Sequence, residues 1–530
     1  MSFFSVFKNE AKTPLKLPDD LMHVDVFPHT ADNIKCIETH ISWVILAGDY
    51  AYKIKKPVNF GFLDFSTLEK RFSACEDELR INRRTAPEIY EGLTRISNTP
   101  VALDDDSQPT MEYAIRMHRF SQSALLPAVL ETQPDALALI NLLARHIADF
   151  HATADIAAHD SPYGTPESVL APVQQNFRQL REKIDDPILL SDIAAIERWT
   201  QSTFTRLQPI FAERKANDHV RECHGDMHLG NIIVLEGKPL LFDALEFNAS
   251  LRWIDVISDI AFLVMDLQLS GRPELGWHVL NQWLEHTGDY ASLHLLPWYL
   301  CYRAMVRAKV AALRLSQLEG SARQSVLDQC HAYLALALSY TQPRQTALIM
   351  THGISGSGKT THSQYPVDHC GLIRIRADVE RKRLFGLHAT ESSRDIAGGI
   401  YTKDANRLTQ QHLKKLAHEV LSAGYPVLVD ATFIRQGSRD EMKTVAQKLG
   451  VPWYFMAFEA KASTLRDRAN VRCAQANDAS EADATVVDNQ LTGLEPLQAD
   501  ELARTLTIHT DNPPDWAMLL PTFRELTGIK

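Results

Sequence analysis

The chain has 530 residues, 45% hydrophobic and 23% charged. It is too long for one ordinary core, and its composition excludes a disordered or coiled-coil chain. The formal charge of −11 falls entirely on residues 1–345, because 346–530 carry 22 basic and 22 acidic residues. This balance argues against a long nucleic-acid footprint and fits either a cationic small substrate or simple solubility.

Seven cysteines, Cys36, Cys75, Cys223, Cys301, Cys330, Cys370 and Cys473, are scattered without a CxxC pair. That pattern fits a reducing compartment, not a disulfide framework or zinc site. Residues 1–12 lack an apolar run of the signal-peptide type. The longest apolar run, 260–265, lies between Asp259 and Asp266 and is far too short for a membrane span. A cytoplasmic protein is expected, with no membrane partner.

In chain order, 37–46 and 50–58 read as two strands joined by Ala47-Gly48-Asp49. A helix follows over 66–86, then a strand at 111–117. Helices are expected over 135–157, near 190–215, and repeatedly from 255 onward. Between them lies a β-rich island, 224–247, with a hairpin turning at Glu236-Gly237-Lys238. The polar stretch 341–345 contains Pro343 and reads as a linker, giving domains at 1–340 and 346–530. Beyond it, strands at 347–351, 371–376, 426–430 and 453–458 alternate with helices at 358–365, 403–422, 436–448 and 461–475. That alternation is the mark of a parallel sheet with crossover helices.

Residues 353–360, GISGSGKT, follow an apolar strand and open a helix. In a phosphate loop of this spacing, backbone N–H groups of Gly353, Ser355, Gly356, Ser357 and Gly358 surround the phosphates. Lys359 reaches the terminal phosphates, and Thr360 and Thr361 begin the helix, with the Thr360 hydroxyl available to Mg²⁺. Asp378 follows a strand with Arg381 three residues on. On a helix these share a face, so the aspartate can take a hydroxyl proton while the arginine holds a substrate phosphate. Asp430 ends a buried strand at a metal-orienting position. Arg468 and Arg472, at i and i+4, can close over a transferring phosphate. Arg374, Arg376, Arg381, Lys382 and Arg383 make this stretch locally basic.

This ordered set resembles the P-loop kinases of the phage polynucleotide kinase and zeta-toxin type, over most of 346–530. Residues 477–487 look like the stretch after their lid. The resemblance implies ATP-dependent phosphorylation of a hydroxyl with Asp378 as base. The acceptor is left open among a nucleic-acid end, a nucleotide sugar and a small metabolite.

In the earlier half, 223–233 read CHGDMHLGNII. His224, Asp226 and His228 alternate like a metal cradle, but Gly225 and Gly230 disturb a strand and no further cysteine or histidine cluster is near. The same letters give a catalytic-loop spacing: Asp226 as base and Asn231 as metal ligand, with Asp243 twelve residues later as the second metal ligand. Lys53, with Lys55 on the same strand face, is placed to hold the α- and β-phosphates. Glu78 or Glu76 is its expected partner, and His224 orders the loop. The strand 111–117 would meet adenine.

With 148–154 around His151 and 254–267, this resembles the aminoglycoside phosphotransferase family over about 30–340. No G-x-G-x-x-G loop is present, which leaves room for a nucleotide-sensing pseudokinase that regulates the second half. The resemblances together imply an α+β protein-kinase-like bilobal domain followed by an α/β P-loop NTPase domain with a parallel sheet. Both would use ATP and Mg²⁺ to phosphorylate hydroxyl-bearing acceptors. A plain ATPase acting on another protein is a third reading; oligomeric state is open.

Overall fold

The structure, a computed structural model, describes residues 16–59, 63–98, 101–105, 107–133, 135–315, 318–393, 396, 399–475 and 478–529. The leader reading of 1–12 and residue 477 of the lid-following stretch lie outside these. The chain divides into two compact units. One comprises Met1–Pro134 with Glu222–Ile254, the other Asp135–Arg221 with Asp255–Lys530. This division does not run through 341–345. The helices of 135–221 and 255–340 group with the P-loop domain.

In the first unit, strands β1 (Lys35–Glu38), β2 (Ser42–Ala47) and β3 (Tyr50–Lys55) precede helix α1 (Leu68–Asn82). Strands β4 (Tyr90–Asn98), β5 (Val101–Leu103) and β6 (Thr110–His118) follow. They form one antiparallel sheet in the order β1-β2-β3-β6-β4-β5. The single strand expected over 37–46 is in fact two. The Thr39 hydroxyl accepts from Ser42 N and donates to Ser42 O, closing a turn that contains neither glycine nor proline. The Thr67 hydroxyl caps α1 by accepting from Lys70 N. Helix α2 (Leu126–Thr132) comes next. Later, β7 (Ile232–Leu235) and β8 (Lys238–Leu241) make the expected hairpin. Its turn is Glu236-Gly237, both at positive φ, as the favoured two-residue hairpin requires. Cys75 of α1, Ile115 of β6, and Ile233 and Leu240 of the hairpin share one apolar cluster, which fixes α1 and the hairpin to the sheet.

The second unit begins with α3 (Leu137–Thr153), α4 (Pro166–Lys183) and α5 (Pro187–Ala216). It continues with α6 (Val256–Leu269), α7 (Pro273–Thr287), α8 (Leu296–Ala312) and α9 (Gly320–Tyr340). Twelve of fourteen α6 residues are buried, so this helix is a core element with no solvent face. The segment expected to be a linker is pinned: the Arg344 guanidinium lies 4.7 Å from the ring centres of both Trp277 and Tyr425.

The P-loop domain follows: β9 (Leu348–His352), α10 (Lys359–Cys370), β10 (Ile373–Arg376), α11 (Ala377–Leu384), α12 (Lys403–Ser422) and β11 (Val427–Asp430). Then come α13 (Gln436–Leu449), β12 (Trp453–Glu459), α14 (Ala462–Gln475), α15 (Ala484–Thr492), β13 (Thr505–His509) and α16 (Trp516–Thr527). The five strands are parallel in the order β10-β11-β9-β12-β13. Helix α10 runs five residues beyond its expected end, through Pro366, and β10 starts two residues late because Gly371 ends the helix in the left-handed conformation. Strand β13 and helices α15 and α16 extend the expected pattern. The α+β protein-kinase-like part followed by a parallel-sheet P-loop domain is the observed architecture. No helix among the described residues is long and apolar enough to cross a membrane.

Candidate functional site

In the first unit, Lys53 sits mid-sheet on β3, between Val44 of β2 and Ile115 of β6. Its Nζ lies 2.7 Å from Glu78 Oε1 and 2.5 Å from Asp243 Oδ1. Of the two candidate glutamates, α1 buries Glu78 and exposes Glu76, a 200° difference in helical direction. The second Glu78 oxygen accepts from Lys55, which also donates to Glu246. Lys55 and Glu78 are fully buried. Glu246 had no role in the sequence reading; its only signal was an acid three residues beyond Asp243. Burial opposes the Lys53 charge, but the Asp243 and Glu78 carboxylates outweigh it and hold the ammonium well above the ordinary lysine range. For Asp243, burial pushes upward and Lys53 pulls downward, with a net lowering.

Asn231 Nδ2 donates to Asp226 O at 3.0 Å and to Asp226 Oδ2 at 3.1 Å. His224 Nδ1 accepts from Asp226 N at 3.3 Å, which leaves Nε2–H to donate to Phe242 O at 3.0 Å. The imidazole therefore ties the Asp226 loop to the residue preceding Asp243. Gly225 has φ of +82°, and a Cβ there would meet Leu251 O at 2.8 Å, so glycine lets the loop pass. His228 Nδ1 accepts from Gly230 N at 3.0 Å, and its Nε2 is 3.6 Å from Asp226 Oδ2. The stretch is a loop, not the strand a metal cradle would need. Lys53, Glu78 and Asp243 are thus brought together, as are Asp226 and Asn231.

In the second unit, the phosphate loop links β9 to α10. Gly356 has φ of +84°, and a Cβ there would meet Leu465 O at 2.5 Å. Gly353 and Gly358 also have positive φ. Ser355 N donates to Gln490 Oε1 at 2.8 Å, and Lys359 Nζ donates to Ile354 O at 2.9 Å. Thr360 Oγ1 donates to Asp430 Oδ2 at 2.6 Å.

Ser355, Lys359, Thr360, Asp378, Arg381, Asp430 and Arg472 line one cavity of about 830 Å³. A second hollow of about 400 Å³ shares Lys359, Thr360 and Arg472 with it and adds Gly356, Gly358, Thr361 and Arg468. Gly353 and Ser357 line neither. Gly353 N donates to Thr432 O, and the buried Ser357 hydroxyl has no partner.

Asp378 and Arg381 fall on α11 and reach the same cavity, as their spacing predicts. Arg381 donates to Ile400 O at 2.9 Å and Asn406 Oδ1 at 2.7 Å, and lies 5.0 Å from the Tyr401 ring centre. The two arginines expected to form a lid differ. Arg468 is tied to Thr510 and Gly356 O, whereas Arg472 donates to Ala482 O at 3.3 Å.

The donor set fits a nucleotide with Mg²⁺. The Nε atoms of Arg381 and Arg472 are buried without a partner, and a hydroxyl and carboxylate converge at Thr360 and Asp430. Burial lowers Lys359 to about 8 against the opposing pull of Asp430 and Asp378, as expected for an ammonium whose anionic partner is a ligand. Arg376, read from sequence only as part of a basic run, also reaches the cavity. Its alternation with Arg374 on β10 was the available signal.

Residues 348–497 match the family model described as AAA domain. An uncharacterized protein of Mycobacterium tuberculosis H37Rv is 29% identical over 431 residues, covering 81% of this chain and 84% of that protein. Among solved structures, an ADP-bound aminoglycoside phosphotransferase covers 59% of this chain and 95% of its own, at 13% identity and a TM-score of 0.34. A gluconokinase from Sinorhizobium meliloti 1021 covers 35% and 91%, at 20% identity and a TM-score of 0.25. The P-loop geometry and the AAA domain match support a nucleotide-handling site. No acceptor is identified by either.

Proposed function

We propose that this chain is an ATP-dependent phosphotransferase with two nucleotide sites, one in residues 1–340 and one in 346–530. The observation that carries the reading is that Lys359, Thr360, Asp378 and Asp430 face one cavity. There the phosphate-binding, metal-holding and proton-accepting groups of a phosphoryl transfer stand together. Thr360 and Asp430 would hold Mg²⁺, which neutralises phosphate charge when bound. Asp378 accepts the proton of the acceptor hydroxyl, Arg381 holds a substrate phosphate, and Arg472 meets charge on the transferring group. In the first unit, Lys53 held by Glu78 orients phosphates, Asn231 and Asp243 would hold Mg²⁺, and Asp226 takes the hydroxyl proton. The N-terminal acceptor is a small molecule. The C-terminal one is a small molecule, a nucleotide or a nucleic-acid end. Seven free cysteines support a cytoplasmic setting.

One observation favours a second reading, in which the first site senses nucleotide without turnover. The β1–β2 turn, Thr39 to Ile41, has no glycine to approach phosphates, and Asp243 is paired to Lys53. Purified full chain, Asp226→Ala and Lys359→Ala are each given ATP, Mg²⁺ and a metabolite extract, and new phosphorylated species are read by mass spectrometry. Two transferases predict two product sets, each lost in one variant. Loss of every product in Lys359→Ala with none lost in Asp226→Ala makes the first site a sensor. ATP hydrolysis without a phosphorylated product defeats both transferase assignments.

A further inference from the structure

Helix α7 belongs to the helical part that precedes 341, yet it presents a polar stripe to the P-loop domain. His278, Asn281 and Glu285 lie at i, i+3 and i+7, along one face. His278 Nδ1 is 3.1 Å from both carboxylate oxygens of Asp368 on α10, the helix that opens at Lys359. Asn281 uses both ends of its amide on the approach to β10: Nδ2 donates to Leu372 O at 2.9 Å and Oδ1 accepts from Arg374 N at 2.7 Å. Strand β10 is the edge of the sheet, so one side chain satisfies backbone groups that a further strand would otherwise take.

One turn farther along, Glu285 Oε1 accepts from Arg376 at 2.7 Å, and Oε2 lies 3.4 Å from Arg374. Burial of Glu285 favours its neutral form, but Arg376 and Arg374 outweigh that, and its carboxyl stays below the ordinary range. The same Arg376 guanidinium donates to Asp478 Oδ1 at 3.0 Å, in the segment after the lid helix α14. Arg376 and Asp478 both line the cavity. Arg376 precedes Asp378 by two residues and is the register partner of Asp430 on β11.

We propose that Glu285 is a positioning residue for the C-terminal phosphotransfer site, acting through Arg376. Held between Glu285 and Asp478, the guanidinium fixes the end of β10 that delivers Asp378 and anchors the segment after the lid. Released by loss of Glu285, it turns among the cavity carboxylates and competes for Asp378 and Asp430. The helical part thereby sets the competence of the P-loop site. This rests on the reading of 346–530 as a phosphotransferase.

The test uses the full chain with Mg²⁺-ATP and measures the part of ATP turnover that Lys359→Ala abolishes. Glu285→Gln should lower kcat about tenfold with KM for ATP within twofold, and Glu285→Asp should recover most of that loss. Arg376→Gln should lower kcat similarly, and adding Glu285→Gln to it should change nothing further, because the two act as one unit. Thermal unfolding and circular dichroism check that each variant is folded. If Glu285→Gln does not fold, Asp478→Asn loosens the same arginine from its other side and should give the same kcat loss. An unchanged kcat in the folded variant, or additive losses in the double variant, overturns the proposal. If Lys359→Ala removes no turnover, the phosphotransferase reading of 346–530 has failed, which is a separate result.

Discussion

Thr360 Oγ1 donates to Asp430 Oδ2 across 2.6 Å, where α10 begins and β11 ends. A hydroxyl and a carboxylate brought that close beside a phosphate loop suit a hard cation with oxygen ligands. Chelation of Mg²⁺ should abolish Lys359-dependent ATP turnover, and added Mg²⁺ should restore it. Asp430→Asn keeps the size and the hydrogen bond but loses the charge, so kcat should fall about 10²-fold. Phosphate release by the purified variant checks this, and an undiminished rate would remove Asp430 from the metal site.

Lys359 is held at about 8, mainly by burial. Phosphates favour the ammonium, so binding nucleotide raises its pKa and takes up a proton. Affinity is then full below pH 8 and falls as pH rises. Between pH 7 and 9 the loss should be about tenfold, since one unit above the pKa only about a tenth of the free protein is protonated. Titration of Lys359-dependent binding with a fluorescent ATP analogue checks the slope, and Lys359→Arg should flatten it. In the ligand-free protein the sign is opposite. A lysine lowered in the folded state carries a penalty below pH 8 that is relieved between pH 8 and 10.5, so stability rises with pH there. Lys359→Met should therefore raise thermal stability at pH 7 and have little effect near pH 10.5.

Glu78 accepts from both Lys53 and Lys55, and Lys55 is completely buried. Removing one partner of a buried ion pair leaves the other charge without compensation, at about 3–5 kcal/mol. Glu78→Gln should destabilise the first unit by that amount. Lys55→Met should cost as much, because it strands Glu246. The double variant Lys55→Met/Glu246→Gln should recover part of the loss, because it removes the stranded carboxylate. Urea unfolding followed by a probe in the first unit checks the ordering. Stabilities of all three equal to that of the unsubstituted protein would mean that the network carries no structural role.

These contrasts show where the sequence was readable. Helix α12 begins and ends where its amphipathic pattern does, at 403 and 422, and the two candidate loops, 224–231 and 353–360, were legible because each is a short motif. The turn between β1 and β2 escaped notice because a threonine side chain, and no glycine or proline, closes it. Lys55 and Glu246 are separated by 191 positions, so nothing local distinguishes them from surface charges. The stripe His278, Asn281 and Glu285 on α7 has the composition of a solvated helix face. The edge of β10 partners Asn281 and Glu285, and Asp368 of α10 partners His278.

The stretch 224–231 offers the sharpest choice between chemistries. A metal cradle would need His224 and His228 equally, whereas the catalytic-loop reading needs Asp226 and Asn231. His224 bonds Phe242 O and His228 bonds Gly230 N, so both rings serve the loop. His228→Ala should lose one capping hydrogen bond, about 1 kcal/mol, and leave Asp226-dependent product formation within threefold. Asp226→Asn removes the proton acceptor and should lower that activity at least about 10²-fold. Asn231→Ala removes a metal ligand together with the bonds that hold Asp226, and should do the same. Purified protein should contain no stoichiometric zinc by elemental analysis, and zinc chelation should not change the activity. A one-to-one zinc content lost in both His224→Ala and His228→Ala would instead make this loop a metal cradle and remove Asp226 as a base.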